Sequence, residues 1–262
     1  MTASAHDIDS ERAAGADPGR WFTPGPPAAG ADVLLFCLPF AGGGAAVYRR
    51  WTGPRWAGIA VDPVLLPGRE SRIGEPPDFT VDRVATALAG RIDRPYAVYG
   101  HSMGARLGFE VVRELRRRAL PPPLALYVAA SRPPDVPPAA SDLVGADVRH
   151  RVAALGTDLD GALEHPELRE LLLPALRSDF AWVDAYRYHP GPPLDVPLIA
   201  LAGEEDPGVR PPAMAGWSRH TTATFQLHTL PGGHLFLRTA AEETTRLVAG
   251  ELRTLAGLDG DW

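Results

Sequence analysis

The feature that most constrains the fold is a series of six short apolar runs separated by segments with helical spacing. The runs occupy residues 33–40, 61–68, 95–100, 124–131, 196–203 and 224–232. Runs of this kind are typical of strands buried on both faces of a parallel sheet. Helical spacing occurs at residues 81–92, 102–118, 211–219 and 240–258. The alternation predicts an α/β fold with a mostly parallel central sheet and helices on both faces.

Two segments do not follow this alternation. Residues 133–193 form a connection far longer than a simple crossover needs, and they contain the helical patterns VRHRVAALG and ELRELLLPALRSDFAWVDAYRY. We therefore expect a helical lid inserted into a domain spanning residues 31–262. Residues 1–30 are rich in Ala, Gly, Pro and Asp and have almost no apolar periodicity, so we expect a disordered tail.

Composition excludes several classes of function. The net charge of −6 argues against a nucleic acid ligand, because phosphate backbones require a basic surface. All 26 basic residues are arginine, so a lysine Schiff base cannot form. The single cysteine, Cys37, allows no intrachain disulfide and no cysteine-based zinc cluster, which fits a reducing cytosol. Without a signal peptide or a membrane-length apolar run, we expect a cytoplasmic protein with no membrane partner. Because H-x-x-H metal spacing is absent, we expect no metal, and we expect no cofactor.

The sequence GHSMG at residues 100–104 matches the pattern G-x-S-x-G. It lies between an apolar run and an amphipathic segment, the strand–turn–helix context in which a strained turn exposes a nucleophilic serine. Glycines flank Ser102 at the two positions where a Cβ would crowd so tight a turn. We therefore predict that Ser102 is a nucleophile. The alternative is an ordinary glycine-rich turn between a strand and a helix.

A nucleophilic serine needs a base, which on such folds follows an acid later in the chain. His234, in LPGGHLFL, comes directly after the sixth apolar run and is the predicted base. Other late histidines fit better as surface or packed residues: His165, His189, His220 and His228.

The acid is expected in GEEDP, after the fifth apolar run. We predict Asp206, which would accept the Nδ1 hydrogen of the base. Glu204 and Glu205 remain alternatives within the same acidic loop.

An oxyanion hole requires two backbone N–H donors. One is predicted at Met103, the residue after the nucleophile, and the other at Ala41, with Phe40 as the next choice. Both loop residues belong to FAGGG at residues 40–44. A phosphate cradle is the alternative for this loop, but the chain lacks GK[ST] and the G-x-G-x-x-G pattern with an acidic ribose partner.

Taken together, these stretches resemble the type II thioesterases that accompany polyketide synthases and nonribosomal peptide synthetases. The resemblance covers about residues 33–256 and rests on LFCLPFAGGGAAVYRRW, LLPGRESR, YGHSMGARLGFEV, DFAWVDAYRY, PLIALAGEEDP and LPGGHLFL. It implies an α/β-hydrolase with a helical lid, in which Ser102, His234 and Asp206 form the triad. It also implies that the protein removes aberrant or stalled acyl groups from the phosphopantetheine arm of acyl or peptidyl carrier proteins.

The apolar stripe of the lid offers candidate substrate-binding residues, Leu176, Phe180 and Tyr186. Two interpretations of these side chains are open. Either they line a chamber for an acyl chain, or they only pack the lid onto the sheet domain. Other functions stay open at this point: acyl transfer or product release at the same serine, an ester or peptide hydrolase without a carrier, or a non-catalytic binder. We expect a monomer.

Overall fold

A computed structural model describes residues 18–23, 30–137, 147–155 and 161–258. Its core is a sheet of six strands in the order β2-β1-β3-β4-β5-β6, and every neighbouring pair is parallel. The strands are β1 Val33–Leu38, β2 Ile59–Pro63, β3 Tyr96–His101, β4 Leu126–Ala129, β5 Leu198–Gly203 and β6 Phe225–Leu230. The predicted parallel sheet is confirmed.

Seven α-helices occur in the described residues. They are α1 Val81–Ala89, α2 Met103–Arg117, α3 Val148–Ala154, α4 Pro166–Ala185, α5 Pro211–Met214, α6 Phe236–Thr239 and α7 Ala241–Ala256. Short 3-10 helices occupy Pro18–Trp21, Ala45–Tyr48, Pro54–Trp56, Glu70–Arg72, Ala162–Glu164 and Ala215–His220. Thr80 caps α1, because its side chain accepts the N–H of Arg83.

The sheet has an apolar core on each face, because successive side chains of a strand point in opposite directions. Leu34 and Phe36 of β1 belong to the cluster that includes Leu107 of α2. Leu35 of the same strand belongs to the second cluster, together with Val248 of α7. Helices therefore cover both faces of the sheet, as the alternation predicted.

Part of the expected tail belongs to the domain. Trp21 and Phe22 are buried against the sheet core, and the carbonyl of Trp21 accepts the N–H of Leu65 at 2.7 Å. The expectation of disorder is therefore wrong for residues 18–23, whose two adjacent aromatics supply enough apolar surface to dock. Residues 1–17 and 24–29 of the expected tail lie outside the described residues.

The second strand differs from its predicted bounds of 61–68. It begins at Ile59 and ends at Pro63, and the following residues 64–68 are buried without joining the sheet ladder. Val64 forms an isolated antiparallel bridge with Phe22 instead. The apolar run therefore reflects burial against the N-terminal segment as well as strand formation.

The described part of the insertion contains helices α3 and α4, while residues 133–137 and 186–193 lie outside helices. Helix α4 continues through Pro174 without a break. Buried side chains of α3 and α4, including Val152, Leu176 and Phe180, form a third apolar cluster that contacts Ala41 at the carboxyl edge of the sheet. Residues 138–146 and 156–160 of the predicted lid lie outside the described residues. In the described segments, no helix combines the length and apolar character needed to cross a membrane.

Candidate active site

Ser102 occupies a strained turn between β3 and α2. Its backbone has φ 57° and ψ −114°, a conformation that L-residues rarely adopt. The turn is tight enough that a Cβ added at Gly100 would lie 2.1 Å from the carbonyl oxygen of Gly104. A Cβ at Gly104 would lie 2.3 Å from the carbonyl oxygen of Leu38. Both glycines of the motif are therefore required by contacts between backbones.

The structure brings together the three residues predicted as a triad. Ser102 Oγ lies 2.8 Å from His234 Nε2, and His234 Nδ1 lies 2.8 Å from Asp206 Oδ2. Asp206 and His234 are buried, whereas Ser102 is partly exposed. Glu204 and Glu205, the alternative acids, are exposed. The burial and the hydrogen bond both single out Asp206.

The carboxylate of Asp206 is held at both oxygens. Oδ1 accepts the backbone N–H groups of Gly208 at 2.8 Å and Val209 at 2.9 Å, while Oδ2 faces His234. Burial acts to raise the pKa of Asp206, but the hydrogen bond and charge of His234 and the two backbone donors outweigh it and lower the pKa. Asp206 is therefore ionised and can only accept, so Nδ1 of His234 carries a proton and Nε2 accepts from Ser102.

His101, the residue before Ser102, forms a hydrogen bond with the backbone of His234. It is fully buried, and its Nε2 lies 2.6 Å from the backbone carbonyl of His234. Burial lowers the pKa of His101 to about 3, helped by the nearby His234. Because a carbonyl oxygen only accepts, the neutral His101 carries its proton on Nε2 and donates it to His234.

The four other late histidines lie elsewhere. His220 pairs with Asp135 at 2.9 Å, and His228 contacts Gln226 within β6. His165 and His189 are exposed. Within the described segments, no group of three or more His, Cys, Asp or Glu side chains is arranged to hold a metal ion.

The loop after β1 forms a tight turn beside Ser102. Gly43 N–H donates to the carbonyl of Phe40 at 2.8 Å, and Gly42 has φ 80°, a combination typical of a type II turn. Gly42 N–H donates to Asp179 Oδ2 at 2.7 Å. The glycine N–H groups at 42 and 43 are therefore engaged within the protein. Phe40, Ala41 and Met103, the predicted oxyanion residues, all line the same chamber as Ser102.

That chamber has a volume of about 50 Å³ and a mostly apolar wall. Its wall includes Phe40, Ala41, Met103, Ala130, Val152, Leu155, Phe180, Val183, Val209 and Leu235, together with Arg106, Arg132 and Arg151. Arg151 of α3 pairs with Asp184 through two hydrogen bonds of 2.7 Å and lies over the ring of Phe180. The lid and the sheet domain therefore share the wall.

Of the three predicted substrate-binding residues, only Phe180 lines this chamber. Leu176 faces the turn after β1, where its Cδ2 would lie 2.4 Å from a Cβ at Gly42. Tyr186 lines a neighbouring groove, and its hydroxyl donates to Glu110 at 2.7 Å. Their apolar character reflects lid packing, which helical periodicity does not distinguish from a chamber wall.

Sequence reasoning missed a buried ion pair, Arg69 and Asp179. Arg69 donates to Asp179 through two nitrogens, at 2.8 and 2.9 Å, and only 5% and 0% of the two side chains are exposed. The position of Asp179 in the helical pattern could have indicated this pair, because Asp179 lies on the buried face of α4 beside Leu176 and Phe180. A carboxylate on an apolar face requires a buried partner.

The family model described as "Thioesterase domain" matches residues 34–252. The chain belongs to this thioesterase family. It is therefore a thioester hydrolase of the serine-hydrolase type, and the resemblance drawn from its motifs is confirmed.

Several relatives align over nearly their full length. This thioesterase is 36% identical over 254 residues to "Linear gramicidin dehydrogenase LgrE" of Brevibacillus parabrevis. The alignment covers 93% of this chain and 97% of the relative. Among solved structures, the RedJ thioesterase from the prodiginine pathway of Streptomyces coelicolor has a TM-score of 0.77 and 33% identity, covering 96% and 97% of the two chains. BorB, a type II thioesterase from the borrelidin cluster, has a TM-score of 0.75 and 36% identity, covering 90% and 98%. The predicted α/β-hydrolase fold is confirmed.

Proposed function

We propose that this thioesterase hydrolyses acyl groups from the phosphopantetheine arm of acyl or peptidyl carrier proteins. In this role it edits aberrant or stalled intermediates of polyketide or nonribosomal peptide synthesis. The observation that carries the proposal is the hydrogen-bonded series Ser102–His234–Asp206 at the wall of an apolar chamber. The similarity to the type II thioesterase BorB and to RedJ supports the biosynthetic setting.

In the proposed acylation step, Ser102 Oγ attacks the thioester carbonyl carbon while its proton moves to His234 Nε2. The carbonyl oxygen becomes an oxyanion in a tetrahedral intermediate. Asp206 stabilises the imidazolium that forms and fixes its orientation. The C–S bond then breaks, the proton passes from His234 to the departing sulfur, and an ester on Ser102 remains.

We assign the oxyanion hole to the backbone N–H groups of Met103 and Ala41, with Phe40 as the neighbouring alternative. All three residues line the chamber, and the N–H groups of Gly42 and Gly43 are engaged elsewhere. A pantetheine thiol ionises near pH 8.5, like a free cysteine, so it leaves far more readily than an amine. Oxyanion stabilisation is therefore the main requirement of this step.

In the proposed deacylation step, His234 accepts a proton from a water molecule, which attacks the ester carbonyl carbon. The tetrahedral intermediate collapses, Ser102 Oγ recovers the proton from His234, and the carboxylic acid leaves. The same two N–H donors of the oxyanion hole act in both steps, since the oxyanion forms at the same place.

The size of the chamber favours short acyl groups. One water molecule needs roughly 10–15 Å³ of such free space, so the chamber of about 50 Å³ holds only a few. We therefore expect acetyl and propionyl thioesters to be better substrates than octanoyl thioesters. Small groups of this kind would block a carrier arm, which fits an editing role.

The decisive experiment measures thiol release from an acetyl-loaded carrier protein and from acetyl-pantetheine. Wild type should release the thiol and an equal amount of acetate, Ser102→Ala should abolish both, and Ser218→Ala, an exposed serine away from the chamber, should change neither. Full activity of Ser102→Ala would disprove the assignment of the nucleophile. Equal kcat/KM on the two substrates would argue against a carrier partner, and thiol release without acetate would indicate acyl transfer.

We also propose that the protein is a cytoplasmic monomer. Cys37 is a free thiol wholly buried in β1, and burial together with the charge of Asp62 raises its pKa well above the usual value. Such a thiol stays protonated and unreactive. Light scattering after size exclusion would test the monomer, and a particle of twice the 28.0 kDa chain mass would overturn it.

A further inference from the structure

The lid helix α4 reaches the turn after β1 through one carboxylate. Asp179 Oδ2 accepts the backbone N–H of Gly42 at 2.7 Å, and Gly42 directly follows Ala41. The Asp179 side chain is completely buried, so no solvent competes for this hydrogen bond. A residue of the lid thus holds the peptide unit next to the proposed oxyanion donor.

Arg69, in the loop after β2, joins the same carboxylate to the other side of the turn. Its Nη2 donates to Asp179 Oδ1 at 2.8 Å, and its Nη1 donates both to Asp179 Oδ2 at 2.9 Å and to the carbonyl of Gly43 at 2.8 Å. Two parallel bonds between a guanidinium and a carboxylate fix the orientation of both groups. Gly42 and Gly43 are therefore clamped by one ion pair.

A second contact from the lid reinforces this clamp. Leu176, less than one helical turn before Asp179, approaches Gly42 so closely that a Cβ there would lie 2.4 Å from its Cδ2. An oxyanion hole works only when its donors lie about 2.7–3.1 Å from the developing charge. The orientation of Ala41 N–H depends on the turn that Asp179 and Leu176 hold.

We propose that Asp179, oriented by Arg69, is a positioning residue for the oxyanion hole, so that hydrolysis requires α4 to be seated on the turn at Ala41–Gly43. Closure of the lid and assembly of the oxyanion hole are then one event. This inference rests on the proposed function, because it assumes that Ala41 N–H stabilises the oxyanion. Asp179 itself touches neither the substrate nor Ser102 in this arrangement.

The first test compares single variants on acetyl-pantetheine. Asp179→Ala removes the acceptor of Gly42 N–H and should lower kcat by about 10- to 100-fold, below the 10²- to 10³-fold loss expected when an oxyanion donor is removed outright. KM should change by less than about 3-fold, since the ground-state carbonyl gains little from the hole. Asp179→Asn keeps the shape and one oxygen that accepts from Gly42 N–H, but its NH₂ faces Arg69 Nη2, so it should recover part of the kcat that Asp179→Ala loses. An Asn variant no better than the Ala variant would overturn the proposal.

A double variant separates positioning from stability. Removing one partner of a buried ion pair leaves an uncompensated charge, whereas Arg69→Met/Asp179→Leu leaves none. We expect the double variant to fold and melt closer to wild type than either single change does, while its kcat stays as low as that of Asp179→Ala. A folded double variant with wild-type kcat would show that the pair serves stability alone.

The most specific readout is the affinity for a boronic acid that forms a tetrahedral adduct on Ser102. Its oxygen occupies the oxyanion hole, so its inhibition constant should weaken in Asp179→Ala by the same factor as kcat/KM. The matched control is Ser178→Ala, which removes the hydrogen bond from the neighbouring residue of α4 to the carbonyl of Pro77 without touching the turn. An unchanged inhibition constant in Asp179→Ala would overturn the proposal.

Failure of the proposed function would be seen differently. In that case wild type itself would hydrolyse no thioester, so the two failures are distinguishable.

Discussion

Asp206 and His234 meet through a carboxylate that has no freedom to turn: Oδ2 lies 2.8 Å from His234 Nδ1, and Oδ1 is held by the N–H groups of Gly208 and Val209. The loop after β5 supplies Asp206 and the two N–H groups that hold its Oδ1, and the loop after β6 supplies His234. Because parallel strands end at the same edge of the sheet, residues separated by 28 positions become neighbours. The carboxylate thereby selects the imidazole tautomer whose Nε2 faces Ser102.

Replacing this acid should therefore cost more than one hydrogen bond. In Asp206→Asn, an amide that turns its NH₂ toward His234 favours the tautomer with the proton on Nε2, which cannot accept from Ser102. We expect kcat to fall by about 10³- to 10⁴-fold, as at other triads, with KM little changed. Steady-state thioester hydrolysis measures this. Glu204→Gln and Glu205→Gln, on the same loop but exposed, should retain full activity. A comparable loss of kcat in either variant would mean that this glutamate, and not Asp206, is the acid of the triad.

His101 should support both activity and stability. His101→Phe keeps a ring in place but leaves the buried carbonyl of His234 without its donor, so we expect the free energy of unfolding at pH 7 to fall by about 1–3 kcal/mol. The wild-type histidine has a pKa of about 3, far below its unfolded value of 6.5. Its contribution is therefore present above pH 6.5 and is lost as the pH falls toward 3.

Denaturant unfolding at pH 7 and pH 5 checks this prediction. The difference in unfolding free energy between wild type and His101→Phe should narrow at pH 5. At that pH, His101 is protonated in the unfolded wild-type chain but stays neutral in the folded one. A gap that widened at pH 5 would mean that His101 is charged in the folded protein.

Phe180 should set the preferred acyl length. It lines the chamber, so its truncation adds room in the cavity that Ser102 also lines. We expect Phe180→Ala to raise the ratio of kcat/KM for hexanoyl-pantetheine over acetyl-pantetheine by about 10-fold, the effect of burying about two more methylenes of the longer chain at roughly 0.8 kcal/mol each. A ratio is insensitive to partial unfolding. Leu173→Ala in the same helix, outside the chamber wall, should leave the ratio unchanged, and a similar rise there would show that general loosening of the lid is responsible.

The parts of the site that follow local rules could be predicted from the sequence. GHSMG needs Gly100 because of a contact within the turn and Gly104 because of a contact with β1, and His234 lies in the loop after β6. Motif and chain order therefore pointed to Ser102 and His234, whose side chains the structure places 2.8 Å apart. Strand positions followed from apolar runs, because parallel strands are buried on both faces.

The parts that depend on distant partners could not be predicted in this way. Arg69 and Asp179 are 110 residues apart, and nothing in the periodicity of either segment indicates the other. Trp21 lies in a segment whose composition favours disorder, yet its ring packs under the Arg72 guanidinium, 4.8 Å from the ring centroid. Leu176 and Phe180 share a helix face, and only the packing of α4 decides which of them reaches the chamber.

Asp62 should destabilise the protein at neutral pH. It is buried in β2, and burial raises its pKa from 3.8 to about 6 although Arg91 lies 3.3 Å away and counteracts the shift. A raised folded pKa means that stability is fullest below pH 3.8 and is lost as the pH rises through 6. The shift corresponds to about 3 kcal/mol between those limits.

Asp62→Asn removes this titration while keeping the shape of the side chain. Relative to wild type, the variant should gain about 3 kcal/mol of unfolding free energy between pH 4 and pH 8, as measured by urea unfolding at several pH values. A relative loss for Asp62→Asn as the pH rises would mean that Arg91 keeps the carboxyl ionised in the folded protein.

Three glycines should respond in different ways to the same added methyl group. At Gly104 a Cβ would lie 2.3 Å from the backbone oxygen of Leu38, which cannot move without displacing β1. We therefore expect Gly104→Ala to lower the free energy of unfolding by more than about 3 kcal/mol. It should also abolish labelling of Ser102 by a fluorophosphonate. At Gly108, one turn further along α2, the nearest atom is a side-chain carbon of Val98 at 3.3 Å, so Gly108→Ala should stay within about 1 kcal/mol of wild type and label normally. At Gly250, exposed within α7, a Cβ would meet nothing within 4 Å, so alanine should stabilise the helix by about 0.5–1 kcal/mol. Urea unfolding ranks the three variants, and a Gly104→Ala protein that kept wild-type stability and labelling would contradict the close packing of α2 against β1 on which the position of Ser102 depends.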